Sequence, residues 1–148
     1  MRLKIAALAV LLAASSASAV EDNAKLGRKV WSAWACVFFA KNADKDSEAE
    51  RLYEIGLVSA RELSSRFLAG EVMSRENMPS AISMVLEGSS PDFIAGRIFQ
   101  TIQQNTEELV FRRDKDFNPL PIIDRPNIEQ RQRIAEDKFR EKNCDLLE

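Results

Sequence analysis

Between Val30 and Ala40 the only polar residue is Ser32. No other stretch limits the fold of this chain so strongly. Leu26, Val30, Ala33, Trp34, Val37 and Ala40 recur at the three-and-four spacing of a helix. Trp31, Cys36, Phe38 and Phe39 cover much of the remaining circumference. A helix that is apolar nearly all round must be packed by neighbours on several faces, so this segment, over about 23–41, is expected at the centre of the domain. Asp22 or Asn23 is the expected cap.

The rest of the chain supplies the neighbours. Ser47 with Glu50 reads as a capping box opening a second helix. Its stripe would be Ala49, Leu52, Tyr53, Gly56, Ala60, Leu63 and Phe67, and Gly70 would end it. Gly56 lies on that stripe, where a missing side chain lets another helix approach. A short helix should start near Pro79 and stop at Gly88, with Ile82, Val85 and Leu86 inward. Ser90 and Pro91 then open a long helix to about Arg112, with Ile94, Ile98, Thr101, Ile102, Asn105 and Leu109 along one face. Residues 114–126 carry three prolines and no helical period, and read as an extended strap bearing Phe117, Leu120, Ile122 and Ile123. Asn127 with Gln130 opens the last helix, whose narrow apolar row (Ile128, Ala135 and Phe139, flanked by Ile134) puts it outermost. The fold class is therefore all-α: a compact bundle of four to five helices with a Pro-rich extended strap before the last. Its core is expected to include Trp34, Val37, Leu52, Leu63, Phe67, Ile94, Ile98 and Ile102.

The N-terminus has the three parts of a secretory signal peptide. Arg2 and Lys4 are basic, Ile5 to Ala14 is apolar, and Ala17-Ser18-Ala19 is a small-x-small cleavage pattern. Cleavage after Ala19 divides the chain into a leader, 1–19, and a single helical domain, 20–148. The ten-residue apolar run spans only about half a bilayer core, so no membrane insertion is expected once the leader is gone. Loss of Arg2 and Lys4 takes the net charge from −2 to −4. The signs are interspersed and form no basic stripe, which argues against nucleic acid. Periplasmic or secreted localisation makes the two cysteines, Cys36 and Cys144, a disulfide.

The chain has no histidine. That removes Ser-His-Asp and Cys-His nucleophile activation and the usual imidazole metal sites. Two acidic runs imitate calcium loops. In one, Asp44, Asp46, Glu48 and Glu50 alternate, but Ala49 and Ile55 occupy the glycine and bidentate-acid positions. In the other, Asp114, Asp116 and Asn118 are followed by Pro119 and Arg125 at those positions. Neither completes the motif. No metal site, cofactor or catalytic residue is expected, and the chain is read as a non-enzyme.

Two groups of residues remain as candidate ligand or partner contacts. Trp31 and Trp34, with Phe38 and Phe39, could line an apolar pocket, although aromatics in the most apolar helix ordinarily serve the core. Asp92 and Arg97 lie near the helix start at Ser90 and Pro91, where exposed amides and an arginine could meet an anion. The plainer reading is that Asp92 complements the helix dipole and Arg97 makes a local ion pair, with Gly96 at a close helix contact.

The general plan of leader, helical domain and one disulfide resembles several classes of small periplasmic proteins. They include immunity proteins that neutralise secreted wall-degrading toxins, and acid-stress chaperones. The likeness lies in architecture and assigns no residue a role. The leading expectation is a non-catalytic binding protein acting on another extracytoplasmic protein, as an inhibitor, immunity factor or accessory subunit. The alternatives are a carrier for a small apolar ligand and a histidine-free wall hydrolase or lyase using paired carboxylates.

Overall fold

The computed structural model describes residues 3–73, 76–114 and 116–148, with side chains from Val20 onward. Arg2, in the expected leader, and residues 74, 75 and 115 lie outside the described residues. Five α-helices follow in order: α1 (Leu3–Asn42), α2 (Asp46–Leu68), α3 (Ser80–Ser83), α4 (Pro91–Phe111) and α5 (Ile128–Glu141). Short 3-10 turns occupy Ile122–Asp124 and Cys144–Leu146. No strand occurs among the described residues. An isolated antiparallel bridge joins Arg113 to Pro119 at the start of the strap.

The central position of α1 follows from its composition. Val30, Ala33, Trp34, Cys36, Val37, Phe38, Phe39 and Ala40 are all buried. The helix packs most extensively on α2, and also on α4, α5 and the last 3-10 turn. Its start differs from the expectation. The backbone is helical from Leu3, because no glycine or proline interrupts the alanine-rich run before Gly27, so neither Asp22 nor Asn23 is a cap. Asn23 is instead fully buried within the helix. Its Nδ2 donates to Glu71 Oε2 at 3.1 Å and to the Val72 carbonyl at 3.2 Å, while its Oδ1 accepts from Arg66 at 3.0 Å. Every polar atom of a buried amide is thereby satisfied, which ties α1 to the segment following α2.

α2 begins one residue before the expected cap. Asp46 is its first residue and Lys45 its N-cap, without a side-chain cap bond, so the Ser47–Glu50 box does not form. Lys41 holds Asp46 at 2.8 Å instead. Gly70 ends the helix as expected, at φ +81°, which a glycine adopts without strain. Seven of the eight expected core residues are buried; Phe67 is only partly so, because Leu63 and Ser64 take the inward positions in the last turns of α2.

α3 is shorter than its sequence signals. Pro79 is its N-cap, and the helix stops at Ser83, with Ile82 and Leu86 still buried. α4 starts as expected, with the Ser90 hydroxyl accepting from the Phe93 amide at 3.3 Å and Pro91 in the first turn. Its inward row is Ile94, Ile98, Ile102 and Thr106, so Leu109 is exposed rather than core. α5 opens with the reciprocal Asn127–Gln130 box, both bonds at 2.9 Å. It buries only Ala135 and Phe139, and Ile128 is exposed. Two further contacts hold this outer helix. Cys36 and Cys144 are bonded, with Cα atoms 5.6 Å apart, within the ordinary span of a disulfide. The Arg131 guanidinium lies 4.4 Å from the centre of the Phe111 ring.

Candidate functional site

The strap between α4 and α5 leaves Phe117, Ile122 and Ile123 exposed. Asp114 organises its first turn: its Oδ1 accepts from the Asp116 amide at 2.8 Å and the Asn118 amide at 2.9 Å. These bonds, led by the Asn118 amide, hold the Asp114 carboxyl below its usual range. Its resemblance to a calcium loop thus reflects an acid that closes a turn. Within that turn Phe117 adopts φ +64°, unusual for a bulky residue, and remains largely exposed.

An apolar groove of about 620 Å³ opens between α1, α4 and α5, where α5 buries only Ala135 and Phe139. One wall is the face of α1 carrying Trp31, Ala35, Cys36 and Phe39. Thr106, Leu109 and Val110 of α4 form the second wall, and Ile134 of α5 the third. Phe117 from the strap and Leu147 from the C-terminal segment also line it. The disulfide therefore holds together two sides of this space as well as two elements of the fold.

Two features make the groove chemically distinct. Thr106 is buried, and its hydroxyl has no hydrogen-bond partner among the described residues, unlike most buried hydroxyls. The charged lining is mainly cationic, with Arg113, Lys138 and Lys142 against Asp114. Lys138 and Lys142 converge on a single carboxylate, that of Glu141, at 2.6 and 3.2 Å. The two ammonium groups, led by Lys138, hold the Glu141 carboxyl below its usual range.

No protein-family model, curated protein or solved structure gives a significant match to this chain. The chemistry of the site is therefore read from its own residues.

The structure separates the two tryptophans. Trp31 lines the groove, whereas Trp34 is buried and borders a hollow of about 210 Å³ between α1, α2 and α4. Asp92 borders the same hollow and pairs with Arg61 of α2 at 2.6 Å. Arg97 turns elsewhere, to the side chain of Glu87 at 2.7 Å and its carbonyl at 3.1 Å. Asp92 and Arg97 thus stand in two different ion pairs and share no anion site. Gly96 does not mark a close helix contact, since a Cβ there would meet nothing within 4 Å. Among the described residues, no group of three acids or cysteines is placed to hold a metal ion.

Of the groove residues, sequence reasoning singled out Trp31 and Phe39 as pocket lining, Cys36 as a disulfide cysteine and Asp114 as a calcium-loop imitation. Thr106 continues the Ile94, Ile98, Ile102 row at four-residue spacing, and that signal could have placed it inward. The lysines carried no such signal, because charges on an amphipathic last helix read as its wet face.

Proposed function

We propose that this is a non-catalytic, extracytoplasmic binding protein that holds a small apolar ligand in the groove between α1, α4 and α5. One observation carries the reading: an apolar groove of about 620 Å³ lined by Trp31, Phe39, Leu109, Val110 and Ile134. That size lies within the roughly 300–1,000 Å³ of small-molecule sites, which are mostly apolar with a few convergent polar groups. The disulfide and the leader's cleavage pattern support export, with Val20 as the mature N-terminus. No described helix is long and apolar enough to cross a membrane. The hydrolase reading gains no support, since the carboxyls with displaced titration, Asp114 and Glu141, both move down, not up toward a general acid.

A neutral, environment-sensitive dye such as N-phenylnaphthylamine tests the groove directly. One dye per protein should bind with enhanced fluorescence, and Ala35→Trp, which fills the groove wall, should abolish it. Absence of binding, or binding indifferent to Ala35→Trp, refutes the reading. N-terminal sequencing of the exported protein checks the compartment, with Val20 expected and Met1 counting against it.

A second reading, action on another extracytoplasmic protein, is favoured by the strap. Ile122, Ile123 and Ile128 are each more than four-fifths exposed, and neighbouring exposed apolar residues of this kind mark interaction surfaces. If the strap docks a partner, a double change of Ile122→Asp and Ile123→Asp should abolish partner capture while leaving dye binding intact.

A further inference from the structure

We infer that the groove is built for a single-chain amphiphile with an anionic head, its chain along the apolar walls and its head at Lys138 and Lys142. The inference rests on the groove being the ligand site and adds the class of ligand.

Charge is the first argument. The protein carries a net negative charge, −2 for the full sequence, yet cations outnumber acids three to one in the lining of this groove. The acid of that lining, Asp114, is occupied by the amides of Asp116 and Asn118. Arg113 is likewise engaged, with Glu108 at 3.2 Å and the Phe117 carbonyl at 2.7 Å. Lys138 and Lys142 differ from these. Two ammonium groups share one carboxylate, that of Glu141, and a second negative counterpart for them is not found among the described residues. A carboxylate or phosphate head would supply it.

Shape is the second argument. The apolar part of the lining comes from Trp31, Ala35, Phe39, Leu109 and Phe117, which suit an alkyl chain. A groove of about 620 Å³ suits one small molecule rather than an amphipathic helix of several turns. Such a helix with acidic flanks is the competing occupant. It would show no dependence on alkyl length.

Calorimetric titration with octanoate, decanoate and dodecanoate, each below its micelle concentration, decides the matter. Affinity should rise about fourfold per added methylene, the equivalent of ~0.8 kcal/mol. Dodecanoate should bind about tenfold more tightly than dodecanol or dodecyltrimethylammonium. Changing Lys138→Gln and Lys142→Gln together should erase that advantage and leave dodecanol binding unchanged. Both lysines are at least partly exposed, so the variant should fold, and retained circular dichroism and dye binding confirm it. If dye and dodecanol bind but dodecanoate gains nothing from its charge, the anionic-head inference falls and the apolar-ligand reading stands. If neither dye nor alkyl compound binds, both fall.

Discussion

The indole of Trp34 lies across Gly56 so closely that a Cβ on that glycine would fall 2.2 Å from Nε1. The same indole N–H donates to the Tyr53 carbonyl one turn earlier on α2, at 3.2 Å. α1 and α2 therefore meet with the largest side chain of one fitted into the gap left by the smallest of the other. The Phe99 ring of α4 completes the contact edge-on, 5.2 Å from the indole centre. This is the junction of three helices, and it is rigid because the indole is held by packing and by a hydrogen bond.

Gly56→Ala should consequently destabilise the protein despite alanine's better helix propensity. The indole would have to move and lose its bond, an overpacking cost of about 1–3 kcal/mol. Gly96→Ala is the matched control. It sits in the middle of α4 with open space around its Cα, so alanine should be neutral or add up to ~1 kcal/mol. Urea unfolding of the two variants reads both. Equal effects would mean that helix propensity, and not the Trp34 contact, governs position 56.

Much of the fold could be read because its signals are local. Ser90 and Pro91, Asn127 and Gln130, and Gly70 each act through bonds within one helix end. The apolar circumference of α1 is likewise a property of a single segment. The misreadings arise where a choice between neighbouring residues was settled by tertiary contacts. Asn23 resembles a cap but lies inside a continuous helix, with Glu71, Val72 and Arg66 satisfying its side chain. Leu109 looked more apolar than Thr106, yet the straight four-residue row of α4 drifts so that Thr106 turns inward. The groove was legible only through the aromatics of α1, since it is assembled from one or two turns of five separate segments.

The Asp114 turn gives a pH prediction. The amides of Asn118 and Asp116 favour the charged carboxylate, so its folded pKa lies below the ordinary value of 3.8. A depressed folded pKa contributes stability above the unfolded value, and that contribution disappears as pH falls through the folded one. The strap should be intact at pH 5 and above, and should loosen below about pH 4 as the turn's acceptor is protonated. The carboxyl carbon of Asp114, followed by NMR, should titrate below its ordinary value, with the Phe117 and Asn118 amides shifting in step. Asp114→Asn should remove that midpoint. A titration at or above 3.8 would contradict the turn's role.

Thr106 gives a test of the groove's stability in the absence of ligand. A buried hydroxyl without a partner costs about 1–3 kcal/mol in lost hydration. Valine has nearly the same shape and no polar atom to satisfy. Thr106→Val should therefore leave the ligand-free protein equally stable or raise its stability by roughly 1 kcal/mol, against the usual direction for core substitutions. Thermal unfolding of the free protein measures it. A loss of more than about 1 kcal/mol would show that the hydroxyl has a partner in solution, such as a bound water.

The disulfide bears on fold and groove together. It joins the C-terminal part of α1 to the 3-10 turn after α5 across 108 residues of sequence. A loop of that length constrains the unfolded chain by about 4–5 kcal/mol in the entropic model, and commonly less in practice. α5 itself buries only Ala135 and Phe139. Without the bond it would retain the Arg131–Phe111 contact and the bonds from Arg51 to the carbonyls of Cys144 and Leu147. Those contacts are partly exposed and individually weak, whereas α1, α2 and α4 share the buried core. Reduction, or Cys36→Ala with Cys144→Ala, should thus lower the melting temperature by about 10 °C and free α5 first. Amide hydrogen exchange should show protection lost over 128–147 while 30–40, 49–64 and 94–106 stay protected. Dye binding should weaken in parallel, since Cys36, Ile134 and Leu147 line the groove from both sides of the bond. Uniform loss of protection across all helices would instead make the bond a condition of the whole fold, and unchanged dye affinity with α5 loosened would remove that helix from the site.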